Sequence, residues 1–300
     1  MTVASLLKQG RERLKSCGID NSSAEALWIF EAVFECTKEY IVFNAEIEAS
    51  PDKTKVFLEK IEERASGVPV QYVIGSWDFY GESFFVGSGV LIPRPETEML
   101  VEFALDYLKD KKSRVVFDLC AGSGCIGLSV ARLCPDSKVY LIEKSEKAFE
   151  YLKRNYEKSG CPNAEIICGD IFNGFDYFGL PSPDLILSNP PYIESREIES
   201  LQPEVRLEPK AALDGGEDGL MFYRTIAKRF CSALAPGGAL LLESGDETDG
   251  KDICGRIAKI LGEYGYVDIE IMPDLSGHMR VVSARRRKKA LVDENKRNGV

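Results

Sequence analysis

The sequence predicts an α/β protein: a mostly parallel sheet covered by helices, with a small helical domain in front of it. Three observations carry that expectation. From Arg114 onward, short apolar or β-branched runs alternate with helical segments, the pattern of a sheet buried on both faces. A glycine-rich turn, "CAGSG", joins the first of those runs to a helix. Residues 1 to about 66 instead place apolar side chains at three- and four-residue spacing, the period of amphipathic helices.

The elements follow in order. "TVASLLKQGRERLKSCGI" and "SSAEALWIFEAVFECT" read as helices, and "SPDKTKVFLEKIEERASG" as a third, opened by Ser50 and Pro51 and closed near Gly67. "YVIGSWDFYGESFFV" sets aromatic and β-branched residues around glycines and reads as a hairpin joining two domains. "LIPRPETE" is a rigid loop, after which Thr97 is placed to cap a helix through Leu100, Phe103 and Tyr107. "RVVFDLC", "KVYLIE", "AEIICGD" and "DLILS" read as strands, with helices around 124–133 and 145–158 separating the first three. "DGLMFYRTIAKRFCSALAPGG" reads as a helix ended by Pro-Gly-Gly, "ALLLES" as a strand, and "YVDIEIMPDLSGHMRVVSAR" as a closing pair of strands. The expected division is a helical domain over 1–70, a hairpin linker over 71–95, an α/β domain over 96–286 and a basic flexible tail over 287–300.

Composition narrows the function classes. The 300 residues are 44% hydrophobic, enough to bury a substantial core. No stretch is long and apolar enough to span a bilayer, and the N-terminus lacks a signal-peptide pattern, so a cytoplasmic protein is expected. Nine cysteines are scattered without a Cys-x-x-Cys pair, and there is one histidine. Reduced apolar thiols are therefore expected, and no metal site. The formal charge of −10, from 48 acidic and 38 basic residues, argues against a direct grip on nucleic-acid phosphates. It favours a basic partner.

Three signals carry chemistry. In "FDLCAGSGCIGLSVA", Gly122, Gly124 and Gly127 match G-x-G-x-x-G, and Glu143 ends the following strand. Glycines let a ligand approach backbone, and a carboxylate there accepts from ribose hydroxyls. In "CGDIF", Asp170 could accept from an adenine amino group while Ile171 or Phe172 packs on the ring. A second acidic contact suits an adenosine with one ribose and no pyrophosphate, which points to S-adenosylmethionine. The third is "SNPPYIES". Its prolines stop the strand, leaving Asn189 at the carboxyl end with Pro190, Pro191 and Tyr192 beyond it. The Asn189 side-chain carbonyl and the Pro190 main-chain carbonyl could hold both hydrogens of a substrate NH2, and Tyr192 offers a flat face. Catalysis would then consist of orientation and preorganised electrostatics for methyl transfer.

These motifs give the chain its resemblance. "GVPVQYVIGSWDFYGESFFVGSGVLIPRPETEMLVE", "FDLCAGSGCIGLSVA", "SNPPYIES" and "LQPEVRLEPKAALDGGEDGLMFYRTI" resemble the protein-(glutamine-N5) methyltransferases that modify bacterial peptide chain release factors, the HemK or PrmC family. The resemblance implies a seven-stranded class I (Rossmann-like) methyltransferase domain behind a helical domain that helps engage the release factor. It implies that the acceptor is the glutamine of the Gly-Gly-Gln loop, with Asn189 and Pro190 holding its amide. The loop Cys120, Ala121, Gly122, Ser123, Gly124 would lie along the methionine part of S-adenosylmethionine, Glu143 at the ribose, and Asp170 with Ile171 at adenine. Arg94 and Glu98 are expected near the site as support, or as a loop ion pair. A monomer would suit an enzyme that embraces a protein loop.

Two departures stand out. Cys120 occupies the position of the first glycine in the usual turn, and "ESGDETD" replaces the usual isoleucine–glycine pair. His278, the single histidine, is expected at a surface strand end without a catalytic role. The competing readings are an adenine-N6 methyltransferase on DNA or RNA, which shares Asn-Pro-Pro-Tyr, a nicotinamide dehydrogenase, and a non-catalytic binding module.

Overall fold

The computed structural model describes residues 1–245 and 252–288. Five helices open the chain: α1 (Val3–Ser16), α2 (Ser22–Phe34), α3 (Lys38–Phe43), α4 (Pro51–Ala65) and α5 (Val70–Ile74). Their apolar faces close one core around Leu6, Leu14, Phe30, Phe57 and Ile61. The spacing of these residues is what the sequence periodicity shows. Pro51 takes the first helical position of α4, where its missing N–H costs nothing, and Ser50 makes no side-chain cap bond.

A two-stranded antiparallel hairpin follows, β1 (Ser76–Phe79) and β2 (Glu82–Phe85). It is shorter than the block read as hairpin, because Val70–Ile74 closes a helical turn before Gly75 takes φ +90° and ends it. A 3-10 turn at Pro95–Thr97 then runs directly into α6 (Glu98–Leu108).

The remaining elements are β3 (Val115–Leu119), α7 (Cys125–Leu133), β4 (Lys138–Glu143), α8 (Glu146–Ser159), β5 (Ala164–Cys168), β6 (Leu185–Ser188), α9 (Lys210–Leu213), α10 (Met221–Phe230), β7 (Ala239–Glu243), α11 (Ile253–Glu263), β8 (Tyr266–Pro273) and β9 (Met279–Arg286). They form a seven-stranded sheet of order β5-β4-β3-β6-β7-β9-β8. The strands β3 to β7 run parallel to one another, and β9 lies antiparallel to both β7 and β8. Each central strand splits its side chains between two cores with period two. Val116, Val139, Leu141, Leu187 and Leu241 join the core under α6 and α7. Phe117, Tyr140, Ile142, Ile186, Leu240 and Leu242 join the opposite core under α10 and α11. Among the described residues no helix is long and apolar enough to cross a membrane.

The helical domain is tied to the rest by Arg64. Its guanidinium meets Glu25 at 2.5 Å and Glu204, far along the chain, at 2.6 Å. The expected basic tail lies largely outside the described residues, since 289–300 are not described; so do residues 246–249 of "ESGDETD".

Candidate active site

The strand order reverses between β3 and β6, because β4 lies on one side of β3 and β6 on the other. In open α/β sheets, ligands bind outside the carboxyl ends of the strands at such a point. Leu119 and Ser188 are register partners there, so the turns after β3 and β6 leave the sheet side by side. A cavity of about 730 Å³ opens over them, within the roughly 300–1,000 Å³ typical of small-molecule sites.

Its floor is the glycine turn. Cys120, Ala121, Gly122 and Ser123 line the cavity. Cys120 adopts φ +60°, Gly122 φ +58° and Gly124 φ +82°. A non-glycine residue in that left-handed region carries about 1–2 kcal/mol of strain, so Cys120 keeps the backbone path that glycine would favour. Gly124 is buried and does not line the cavity: a Cβ there would sit 2.4 Å from Leu152. Its role is helix packing. Asp118 accepts from the Gly127 N–H at 2.9 Å, pinning the start of α7 to the end of β3. Burial raises the Asp118 carboxyl to about 7, against the Gly127 hydrogen bond. Asn155 on α8 donates to the carbonyls of Ser123 and Phe85 and accepts from the Phe85 N–H, lacing the turn to the hairpin.

Glu143 closes one wall. Its two carboxylate oxygens accept from Gly122 N–H at 2.8 Å and Ser145 N–H at 2.7 Å. A carboxylate offers about four lone-pair positions, so acceptor capacity is left for two hydroxyls. Burial raises its pKa, opposed by these backbone donors. Asp170 and Ile171 line the same cavity with Phe172. Asp170 accepts from Phe172 N–H at 2.9 Å and pairs with Lys144 at 2.8 Å. Burial works to raise its pKa, but the Lys144 and Phe172 hydrogen bonds outweigh it and hold the carboxyl below its usual value.

Asn189 and Pro191 line the cavity as well, while Pro190 and Tyr192 are absent from its lining. The ring of Tyr192 lies on Gly245, where a Cβ would stand 2.8 Å from it. Beyond it, Ile193 N–H donates to Leu213 at 2.9 Å and Gly215 N–H donates back to Ile193 at 2.8 Å. The turn after β6 is thereby strapped to the "EPKAALDGGEDGL" segment. Side chains at Gly215 or Gly219 would meet the Tyr192 backbone at 2.7 Å and 2.5 Å, so both positions need glycine.

Arg94 and Glu98 do not pair with each other. Arg94 lines the cavity and pairs with the buried Glu208, which also accepts from Ile92 N–H at 3.0 Å. Glu98 instead accepts from Tyr80 N–H at 2.7 Å and holds the hairpin turn. Thr97 does not cap α6. The 3-10 turn gives it helical backbone angles, and its hydroxyl goes to Glu243 at 3.1 Å. Glu243, read only as the end of an apolar strand, stands behind the cavity-lining Thr97, a contact the sequence reading missed. The signal was present: like Glu143, it is an acidic residue closing a buried strand. His278 is largely exposed beside Asp274, away from the cavity.

The sheet order and the cavity at its switch point define a class I methyltransferase fold. A methyltransferase from Pyrococcus furiosus, 17% identical, superposes with a TM-score of 0.50 over 79% of this chain and all of its own. The family models described as PrmC N-terminal domain and methyltransferase small domain match residues 5–75 and 97–217. The release factor glutamine methyltransferase of Geobacter sulfurreducens is 35% identical over 95% of this chain and 96% of its own length. That of Moorella thermoacetica is 33% identical over 96% of this chain and 99% of its own. The chain belongs to the release factor glutamine methyltransferase family.

Proposed function

We propose that this chain methylates the side-chain amide nitrogen of the glutamine in the Gly-Gly-Gln loop of peptide chain release factors, using S-adenosylmethionine. One observation carries the reading: the nucleoside-type cradle and Asn189 line a single cavity. S-adenosylmethionine suits that cradle, since Glu143 keeps acceptor capacity for ribose hydroxyls and the glycine turn exposes backbone. When bound, it supplies a methyl group on a sulfonium sulfur.

The chain's own residues do the rest. An amide nitrogen is a poor nucleophile because its lone pair is delocalised. Asn189 Oδ1 and the Pro190 carbonyl accept its two hydrogens and aim it, while Tyr192, packed on Gly245, supports the turn that carries them. No strong base is needed, as the nitrogen sheds its proton only after becoming cationic.

The helical domain over 1–70 engages the release factor, and the segment over 71–95 links it to the α/β domain. Val42 and Phe43 on α3, 67% and 86% exposed, offer apolar contacts. The enzyme acts as a cytoplasmic monomer, and its charge of −10 supports contact with a basic protein instead of nucleic acid.

The test incubates the enzyme with labelled S-adenosylmethionine and either a purified release factor, the same factor with its loop glutamine changed to alanine, or DNA. Label in the intact factor alone is expected. Label in DNA, or in the alanine factor, contradicts the reading.

A further inference from the structure

We infer that Thr97 and Glu243 are positioning residues that fix which way round the Asn189 amide stands. The three groups form one chain: Asn189 Nδ2 lies 3.1 Å from Thr97 Oγ1, which lies 3.1 Å from Glu243 Oε1. Thr97 and Glu243 are each only 2% exposed, and Thr97 lines the cavity beside Asn189. All three come from separate parts of the fold: the 3-10 turn before α6, the end of β7 and the end of β6.

The direction of the chain follows from proton counting. A hydroxyl has one hydrogen to give, and an ionised carboxylate has none. With Glu243 ionised, Thr97 donates its only hydrogen to Glu243 Oε1 and can only accept from Asn189. The Asn189 amide therefore turns its NH2 to Thr97, which leaves Oδ1 for the cavity. That is the orientation an acceptor for a substrate NH2 requires. The second Glu243 oxygen is buried without a hydrogen-bond partner, and the Tyr223 hydroxyl holds the Glu243 main-chain carbonyl at 2.8 Å. The carboxylate is held for Thr97 and little else.

Protonation of Glu243 removes the constraint. A carboxylic acid can donate to Thr97, whose hydrogen is then free to occupy Asn189 Oδ1. Burial raises the Glu243 carboxyl to about 7, against the Thr97 hydrogen bond and the positive charges of Arg280 and Arg94, with Glu96 adding to the rise. The methyl-transfer step should thus weaken as pH falls through this range.

This inference rests on the role of Asn189 proposed above. The test measures single-turnover methyl transfer to the release factor, together with S-adenosylhomocysteine affinity by calorimetry. Thr97→Val should lower the rate roughly 10- to 100-fold, as a misplaced group does, with cofactor affinity and release-factor KM little changed. Thr97→Ser, which keeps the hydroxyl, should restore most of the rate. Glu243→Gln should lose the acid limb of the rate profile. A Thr97→Val enzyme as fast as the parent, a Thr97→Ser enzyme as slow as Thr97→Val, or an acid limb that survives in Glu243→Gln would each overturn it. If Thr97→Val fails to fold, the serine variant and the glutamine profile still decide. Full activity in Asn189→Ala would instead sink the underlying reading.

Discussion

Ser188 and Leu119 sit opposite one another on adjacent parallel strands, and the Ser188 hydroxyl donates to the Leu119 carbonyl at 2.6 Å. This bond ties together the two strand ends from which the glycine turn and the Asn-Pro-Pro-Tyr turn depart. The glycine turn and Asn189 are therefore positioned by one rigid sheet and not by independent loops, as the proposed methyl transfer in a fixed geometry demands.

Glu143→Ala should weaken cofactor binding. The variant loses the proposed ribose acceptor and leaves Gly122 N–H and Ser145 N–H without the carboxylate that holds them. Removing a charged hydrogen-bonding partner costs about 1.5–3 kcal/mol, or roughly 10- to 100-fold in Kd. Calorimetry with S-adenosylhomocysteine measures it. Affinity equal to the parent's would remove Glu143 from the ribose.

Stability should fall as pH rises from about 4 to about 7. Asp118 and Glu243 both have carboxyls raised to about 7, chiefly by burial. A group raised on folding contributes stability that is complete below its unfolded value, near pH 4 for carboxyls, and lost as pH passes its folded value. The loss should be on the order of a few kcal/mol. Denaturant unfolding at several pH values reads it, and Asp118→Asn should flatten the slope. A slope unaltered in that variant would show that Asp118 is not raised.

Arg64→Ala should destabilise the protein by roughly 3–5 kcal/mol, because it leaves a buried carboxylate without its counter-charge. Arg64 is 2% exposed and Glu25 8%, and Arg64 also reaches Glu204 across the fold. Urea unfolding measures the change. A loss under about 1 kcal/mol would mean the triad behaves as an exposed pair.

The sheet was legible because its strands are short, apolar and punctuated by helices, and each central strand obeys the period-two rule. The turns after β3, β4, β5 and β6 were legible because glycine, proline and acidic residues at strand ends have few structural uses. What stayed hidden depends on contacts distant in sequence. Thr97 stands where a cap belongs, and only the meeting of β7 with the Pro95–Thr97 turn redirects its hydroxyl to Glu243. Glu98 was expected near the site, but a local pattern cannot show that it serves the Tyr80 turn. Helix α11 was passed over although Cys254, Ile257, Ile260 and Leu261 carry its buried face at helical spacing.

The most direct measurement is the single-turnover rate of Asn189→Ala with a purified release factor and labelled S-adenosylmethionine. The rate should drop by roughly 100-fold or more, on the scale of removing one preorganised transition-state contact, while S-adenosylhomocysteine binds as to the parent. An unchanged rate would contradict the account.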